Sequence, residues 1–537
     1  MSSSDTCATV IAQTLYDSGV RYAFGHPGGE IVELMDALES HGIAFLLTGH
    51  ESTAAFMAGT AGRLTGLPGL CLATLGPGAC NLMLGVASAY LDRDPLLAFS
   101  ARTATHRIRR SNKQNLPLNE LFAHITKWSF ALEGSATGAT VQAALRVAAT
   151  APFGPVYLSI PADVATAPDQ SEAPGPIPPA APTPDDAALE TIVKTLNTAR
   201  RPIGIVGLAL DAGKDGPAIR RFFEETGLPY TVTTQGKGMA DESSPRFLGA
   251  IAPAAGERHI IEWFQQSDCL LGVGLDPVEL SQTWHFDAPL HLVTSAPVGF
   301  GDYQPKVACT GEVSVLIDRI RARYQGTCDW SDADIRALRL KTDAFIRPVA
   351  PSTVKGLSPY HLLRSLRDLL PDETIVTSDV GAHKNVLGQV WRAPAPRSFL
   401  MSNGLSSMGY GPASAMAATL IHPERPVVSI TGDGAFAMMV HELETVRRLG
   451  IAPLFVVLCD ASLAVIKVAQ RQRGLPLTGV DFAPVDWAKV AEGFGVRAET
   501  ARTMAEVERI VGDWLSAREA LVLSVAVDEE LYTGLRY

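Results

Sequence analysis

Several absences narrow the function of this sequence before any motif is read. Its seven cysteines, at positions 7, 71, 80, 269, 309, 328 and 459, form no C-x-x-C pair and are odd in number. That argues against a disulfide framework and against a zinc site. Several lie inside apolar runs such as Gly69–Thr74, where a thiol serves as a small hydrophobe, so reduced thiols in a cytoplasmic protein are expected. Basic residues are too few for a nucleic-acid partner. Against 45 Lys and Arg stand 56 Asp and Glu, a formal net charge of −11, which leaves no surplus to displace phosphate counterions. The group Arg107, Arg109 and Arg110 reads as a solvated loop. Residues 1–20 lack a basic segment followed by a long apolar one, so no secretory leader is expected. The uncharged stretch Leu72–Leu91 has the length of a membrane span, but Gly76-Pro77-Gly78 and Asn81 break it into strand, turn and helix. No G-x-G-x-x-G with an acid about 20 residues later follows an early strand, which ranks a nicotinamide dehydrogenase low.

What is present is a long chain of 537 residues, 47% hydrophobic and 19% charged, enough for three globular domains at roughly 100–200 residues each. Two joints divide it. Residues 173–186 are Pro/Ala-rich and read as an extended linker, and a weaker joint near 345–358 gathers Pro348, Pro351, Gly356 and Pro359. The expected domains are 1–172, 187–345 and 358–537. Each alternates short β-rich runs with helical patterns. Ala44–Thr48, Gly69–Thr74, Pro95–Ser100 and Pro155–Ile160 serve the first, Ile203–Gly207 and Cys269–Gly274 the second, and Thr374–Ser378, Val427–Thr431 and Leu454–Cys459 the third. These runs lack polar alternation, as do strands buried on both faces of a parallel sheet. The fold class is therefore α/β, as three consecutive parallel-sheet domains.

In the last domain Val427–Thr431 runs into Gly432-Asp433-Gly434, and a helical pattern follows with Met439, Leu443, Val446 and Leu449 on one face. The run Leu454–Cys459 then leads into Asp460-Ala461-Ser462, the second acid falling 27 residues after the first. Strand ends and helix starts collect at one edge of a parallel sheet, where such folds bind ligands, so Asp433 and Asp460 are expected side by side. Gly434 lets backbone N–H groups approach a phosphate. Two carboxylates, phosphate oxygens and one carbonyl make the all-oxygen, six-coordinate site that Mg²⁺ demands. Gly-Asp-Gly alone marks only a tight turn; the strand, helix and second acid around it supply the specificity.

Near the other end stand Phe24-Gly25-His26-Pro27-Gly28-Gly29, then His50-Glu51 followed by an Ala-rich helical pattern, then Leu75-Gly76-Pro77-Gly78-Ala79-Cys80-Asn81. With both motif sets in this order, the chain resembles the thiamine-diphosphate-dependent enzymes of the acetolactate synthase and pyruvate oxidase-like family over nearly its whole length. That resemblance implies thiamine diphosphate and Mg²⁺ as cofactors, with pyrimidine-binding, middle spacer and diphosphate-binding domains in that order. It implies that Asp433, Asp460 and the Ser462 carbonyl ligate the metal. Pro27, Gly28, Thr74, Asn81, Val380, Ser406, Gly432, Gly434, Ala435 and Leu463 would contact the cofactor, with His383 a phosphate donor and Met408 a prop between the two rings. Glu51 would share a proton with the pyrimidine ring and so set up the carbanion chemistry of the thiazolium. The family carries an Asn-Asn pair where this chain has Cys459-Asp460. The extra negative charge beside a diphosphate calls for a cation, Lys467 or His383. Active sites shared between one subunit's N-terminal domain and another's C-terminal domain imply a homodimer or homotetramer.

The implied reaction is decarboxylation of a 2-oxo acid and C–C bond formation with an aldehyde or keto acceptor, through a thiamine-bound enamine, with Gln114 facing the reacting carbon. Four positions depart from the acetolactate synthases: Lys113 replaces an aromatic residue, Ala162 a lysine, Ala469 a tryptophan and His26 a tyrosine. The expected pocket is wider and differently charged, which turns the expectation away from branched-chain acetolactate synthesis. Lys113 and His26 could contact an anionic acceptor or act as an acid/base pair; equally, they could be a solvated lysine and a structural histidine. Gln114 and Leu91-Asp92-Arg93 also suit C–C cleavage of the benzaldehyde-lyase or hydroxyacyl-lyase kind. A relative that kept the fold and lost catalysis is a third reading, against which Glu51 and Asp433 count. In the middle domain Gly272-Val273-Gly274 is a lone glycine pattern, and Leu275-Asp276-Pro277 stands where flavin-binding relatives carry an arginine, so FAD is not expected.

Overall fold

The computed structural model describes residues 6–110, 112–169, 185–252, 256–280, 284, 286–299, 303–349, 355–532 and 535. Three six-stranded sheets follow one another along the chain, every strand pair parallel. The first holds β1 (Tyr22–His26), β2 (Ala44–Leu47), β3 (Gly69–Ala73), β4 (Leu96–Arg102), β5 (Trp128–Ala131) and β6 (Pro155–Pro161), in the order β2-β1-β3-β4-β6-β5. The second holds β7 (Pro202–Val206), β8 (Tyr230–Thr233), β9 (Phe247–Ile251), β10 (Cys269–Val273), β11 (Leu290–Thr294) and β12 (Val307–Thr310), in the order β12-β11-β10-β7-β8-β9. The third holds β13 (Ile375–Ser378), β14 (Phe399–Met401), β15 (Val427–Gly432), β16 (Leu454–Cys459), β17 (Arg497–Ala501) and β18 (Leu521–Ala526), in the order β14-β13-β15-β16-β18-β17. The α/β expectation of three parallel-sheet domains holds.

Central strands such as β6, β7 and β10 are buried at every residue, because helices cover both faces and every side chain must be apolar or small. Edge strands behave differently. Ala44–Leu47, expected to be buried on both faces, forms the edge strand β2 and is half-buried throughout. The helical pattern after β15 also departs from expectation. Instead of one helix the chain forms Asp433–Met439, a 3₁₀ turn Val440–Glu442, and Leu443–Leu449. The turn tightens around Glu442, whose buried carboxylate accepts from the Thr445 hydroxyl at 2.7 Å.

The chain packs as two compact units. One contains the first sheet together with 404–407 and 416–421; the other contains the second and third sheets. In the first unit, helices Glu51–Thr65 and Pro77–Leu91 approach closely because glycines stand at the contacts. A Cβ on Gly85 would fall 2.4 Å from the Ala55 Cβ; where Glu51–Thr65 meets the residue before β4, one on Gly62 would fall 1.9 Å from the Pro95 carbonyl oxygen. Of the expected linker 173–186, residues 173–184 lie outside the described residues. Asp185 already caps the helix Asp186–Thr198, accepting the N–H groups of Ala187 and Ala188 at 2.9 and 3.1 Å. In the weaker joint, 350–354 lie outside the described residues, and Leu357 forms a parallel bridge with Val527. No helix among the described residues is long and apolar enough to cross a membrane.

Candidate active site

In the first unit Glu51 opens the helix Glu51–Thr65 and is 8% exposed. A carboxylate in the first helical turn meets the positive end of the helix dipole. His50 caps this helix, its Nδ1 accepting the Ser52 N–H at 3.1 Å. Asn81, on the neighbouring helix Pro77–Leu91, donates from Nδ2 to Glu51 Oε2 at 3.0 Å. Gly78 lies against the same carboxyl group, and a Cβ there would stand 3.2 Å from Oε1. Two helix starts thus hold the carboxyl group between them.

The other sequence-derived candidates of this unit gather at the ends of β1 and β3. Gly28 packs so tightly on Thr74 that a Cβ would fall 2.4 Å from the Thr74 Cβ. The Thr74 hydroxyl donates to Glu30 Oε2 at 2.7 Å, a partner that sequence reading missed. Gly76, at φ +61°, packs against Gln114, which is exposed and itself at φ +59°. His26 ends β1, and its Nδ1 lies 2.8 Å from the Thr48 carbonyl oxygen. A carbonyl can only accept, so Nδ1 carries a proton and Nε2 is the nitrogen left for another partner. Lys113 and Pro27 are exposed, as is Asn81 beyond its bond to Glu51.

In the second unit the segments after β13, β14, β15 and β16 carry the remaining candidates, apart from Ser406, which belongs to the first unit, is exposed and sits at φ +54°. Asp433, 4% exposed, accepts the Gly434 N–H at 2.9 Å through Oδ1 and the Ala461 N–H at 2.8 Å through Oδ2. Asp460 follows β16 and accepts the N–H and hydroxyl of Ser462 at 3.0 and 2.9 Å. Ala461, between them, sits at φ +54°, which turns the chain sharply enough to place both acids at one edge. Burial, and then the Asp433 carboxylate, push Asp460 up to about 7; burial also raises Asp433. Gly434 lies under Leu463, whose Cδ2 would be 3.1 Å from a Cβ there, and Ala435 is buried behind it. Among the described residues no group of three or more His, Cys, Asp or Glu side chains is arranged to hold a metal.

His383, 2% exposed, lies in the helix Ala382–Val390 with its ring against Gly432, where a Cβ would be 3.5 Å from Cε1. Burial pushes it down to about 4, so the ring is neutral, and its Nε2 has no hydrogen-bond partner among the described residues. Lys467 is committed to Glu529 at 2.6 Å and Asp481 at 2.5 Å. Neither residue therefore supplies the cation that the Asp460 departure called for. Met408 is half-buried, as is Val380.

The residue that sequence reading missed here is Asp379. It is fully buried, and its carboxylate accepts the N–H of Val380 at 2.6 Å and of Gly409 at 3.0 Å. It thereby ties the segment carrying Val380 and His383 to the one carrying Met408. Burial pushes it up to about 7. An acid immediately after the apolar run Thr374–Ser378, two residues before a glycine, was the available signal.

The third sheet's edge opens into a cavity of ≈ 930 Å³ lined by Asp433, Asp460, Asp528 and Glu529 among others. In the second sheet the strand order reverses between β7 and β10, the crevice where open α/β sheets take nucleotides. Glu279 lies there, 6% exposed, its Oε2 accepting the N–H groups of Leu208 and Asp276 at 2.9 and 3.0 Å, with Thr233 bonded to Oε1. A Cβ on Gly207 would fall 2.5 Å from Oε2.

Comparison with known proteins agrees with this arrangement along the chain. The family models for the thiamine pyrophosphate enzyme N-terminal TPP binding domain, central domain and C-terminal TPP binding domain match residues 5–121, 189–320 and 379–525. The chain is 29% identical to an acetolactate synthase of Bacillus subtilis (strain 168) over 536 residues, 97% of this chain and 93% of that one. It is 27% identical to the catabolic acetolactate synthase of Raoultella terrigena, covering 97% and 95%, and 29% identical to the acetolactate synthase isozyme 2 large subunit of Escherichia coli (strain K12), covering 97% and 95%. With three consecutive domain matches, near-complete coverage and strand ends that gather the motif residues, the chain belongs to the thiamine-diphosphate-dependent enzymes, in their acetolactate synthase-like family.

Proposed function

We propose that the protein is a thiamine-diphosphate- and Mg²⁺-dependent decarboxylase and carboligase of 2-oxo acids. The observation that carries this reading is the Glu51 carboxyl group, buried at a helix start and oriented by Asn81 at 3.0 Å. When bound, the cofactor supplies a carbon nucleophile that attacks a substrate carbonyl and stores the electrons released with CO₂. The chain's own task is to hold and move protons and to orient the bound groups. Glu51 holds a proton at its carboxyl oxygen for the pyrimidine ring, with Asn81 fixing which oxygen faces it. Gln114, braced on Gly76, orients the substrate carbonyl, while His26, through Nε2, passes the proton that the acceptor's carbonyl oxygen takes up as the C–C bond forms. Lys113 attracts the acceptor's carboxylate.

The residues fit the cofactor. His383 carries a buried Nε2 without a partner among the described residues; protonated beside a diphosphate, it would donate to an oxygen of that group. After burial, charge repulsion from Asp433 raises Asp460, and neither acid is in an ion pair among the described residues; a divalent cation held by both, with the Ser462 carbonyl and phosphate oxygens, would relieve that repulsion. A homodimer or homotetramer with sites shared between subunits is proposed on the family resemblance alone. In the second sheet Glu279 takes the backbone N–H groups that a nucleotide phosphate would need, which supports a middle domain without FAD.

The departures at His26, Lys113, Ala162 and Ala469 favour an acceptor other than the branched-chain 2-oxo acids. The test is an NMR product screen of the enzyme loaded with thiamine diphosphate and Mg²⁺, offered pyruvate with a panel of aldehydes and 2-oxo acids, and separately α-hydroxy ketones. CO₂ with a new C–C bond supports the proposal. Aldehyde release from hydroxy ketones, without CO₂ from any oxo acid, points to the lyase reading. Turnover unchanged in Glu51→Gln overturns the mechanism.

A further inference from the structure

A second cavity lies within the unit of the second and third sheets and shares no lining residue with the candidate active site. It measures ≈ 760 Å³ and is walled by β9 with the segment before it, by the helices Asp332–Ile346 and Pro359–Leu369, and by the end of Ala382–Val390. Six arginines line it: Arg336, Arg339, Arg347, Arg364, Arg367 and Arg392. In a chain of net charge −11, that concentration needs a reason.

Four acids share the wall, and three of them are engaged. Glu242 is paired with Lys237 at 2.7 Å, Asp332 with Arg246 at 3.0 Å, and Asp343 with both Arg347 and Arg364 at 2.5 and 2.9 Å. Arg336 and Arg339 stand one helical turn apart, exposed, with no ion-pair partner among the described residues. Like charges at that spacing repel unless an anion lies between them. Arg367 is 6% exposed. Its Nη1 donates to the Leu370 carbonyl at 3.2 Å and its Nη2 pairs with Asp372, but its Nε has no acceptor among the described residues. The Thr342 hydroxyl, 8% exposed and also in this wall, is likewise without a partner among them. Buried donors are normally satisfied, and these two stand in residues of the cavity wall beside the exposed Arg336 and Arg339 pair.

We infer that this cavity binds a small molecule carrying clustered phosphate groups. Guanidinium forks match phosphate oxygens two by two, and the volume falls within the roughly 300–1,000 Å³ of small-molecule sites. Recognition is by charge, not by stacking: the aromatic side chains in the wall, Phe247 and Trp391, are 7% and 2% exposed and offer no open ring face. A nucleoside diphosphate and inorganic pyrophosphate carry the same chemistry.

The experiment is isothermal titration of ADP, inorganic pyrophosphate and adenosine into enzyme already saturated with thiamine diphosphate and Mg²⁺, compared with the Arg336→Ala/Arg339→Ala variant. Both side chains are exposed and outside the active site, so melting temperature and basal turnover are expected to be unchanged, which confirms an intact variant. ADP is expected to saturate, adenosine not to, and the double substitution is expected to weaken ADP by about tenfold or more. Pyrophosphate binding alongside ADP assigns the affinity to phosphate alone, and ADP binding without it assigns a nucleotide; both outcomes support the site. Absence of saturation by ADP, equal affinity in the intact double variant, or adenosine binding as tightly as ADP would overturn it.

Discussion

The first and third sheets are the same weave, and their chemistry is not. Counted within each domain, both run 2-1-3-4-6-5, so their strand ends correspond one to one. After its second strand the first domain places Glu51, while the third places Ser406 and Met408. After the third strand come Thr74 and Gly76 in one, while in the other Gly432 ends it and Asp433 follows. The first sheet delivers one buried carboxyl group held by a side-chain amide, with Glu30 apart from it on the Thr74 hydroxyl. The third delivers two carboxylates that accept backbone N–H groups and sit near enough for Asp433 to raise Asp460. Topology sets where a site lies; the loop residues decide what it does. The second sheet, in the order 3-2-1-4-5-6, sharpens the contrast, since Glu279 takes the N–H groups of Leu208 and Asp276 where its strand order reverses.

If the two matching edges do different work, substitutions at them must fail differently. Glu51→Gln keeps size and the bond from Asn81 but removes a proton donor, and turnover is expected to fall by about 10²–10⁴-fold with cofactor affinity nearly unchanged. Fluorescence titration of thiamine diphosphate alongside steady-state rates checks both halves. Asp433→Ala is expected to act on binding. It leaves the Gly434 and Ala461 N–H groups without acceptors, costing about 1–3 kcal/mol of stability, and weakens Mg²⁺-dependent cofactor binding by about 10–100-fold. Should Asp433→Ala bind cofactor as wild type and Glu51→Gln lose it, the division of labour proposed here is reversed.

The parallel sheets were legible from the sequence because central strands must be apolar on both faces, and Val427–Thr431 or Pro155–Ile160 leave no other reading. Edge strands were not, since Ala44–Leu47 looks the same as a central run until its neighbours are known. Glycine motifs and acids at strand ends identified the family and placed Asp433 beside Asp460. Partners that depend on three-dimensional packing were hidden. Asp379 bonds to Gly409, 30 residues away, and Lys467 turns to Glu529, 62 residues away. No local spacing encodes either contact. The broken helix after β15 shows the same limit, because helical periodicity cannot register a turn drawn in by Glu442.

The middle sheet supplies a smaller effect. Burial pushes Glu279 up to about 8 from an ordinary value of 4.5. A carboxyl group whose folded value is raised favours the native state while protonated. Its contribution is therefore full below about pH 4.5 and is lost as pH rises through about 8. Glu279→Gln mimics the protonated form, donating toward Thr233 while its carbonyl accepts from Leu208 and Asp276. Thermal melts across this range are expected to show wild type losing stability relative to the variant as pH rises. A constant difference would mean that Glu279 is ionised in the fold and the crevice is polar.

The smallest effect returns to the third sheet. Asp460→Asn restores the amide that relatives carry and keeps an acceptor for the Ser462 N–H and hydroxyl. In the protein without cofactor, at about pH 8.5 where both acids are ionised, it removes the repulsion with Asp433 and is expected to raise stability by about 1 kcal/mol. Asp460 is pushed up to about 7, so the advantage fades as pH falls through that value and wild type gains its proton. Added Mg²⁺ and thiamine diphosphate should reverse the order, raising the wild-type melting temperature more than the variant's, because two carboxylates hold a divalent cation better than one. The first sheet has no such pair, and Glu51→Gln should show no reversal. A variant that is less stable than wild type without cofactor at high pH would mean that the two acids do not repel where they stand, and the metal reading of this edge would lose its electrostatic ground.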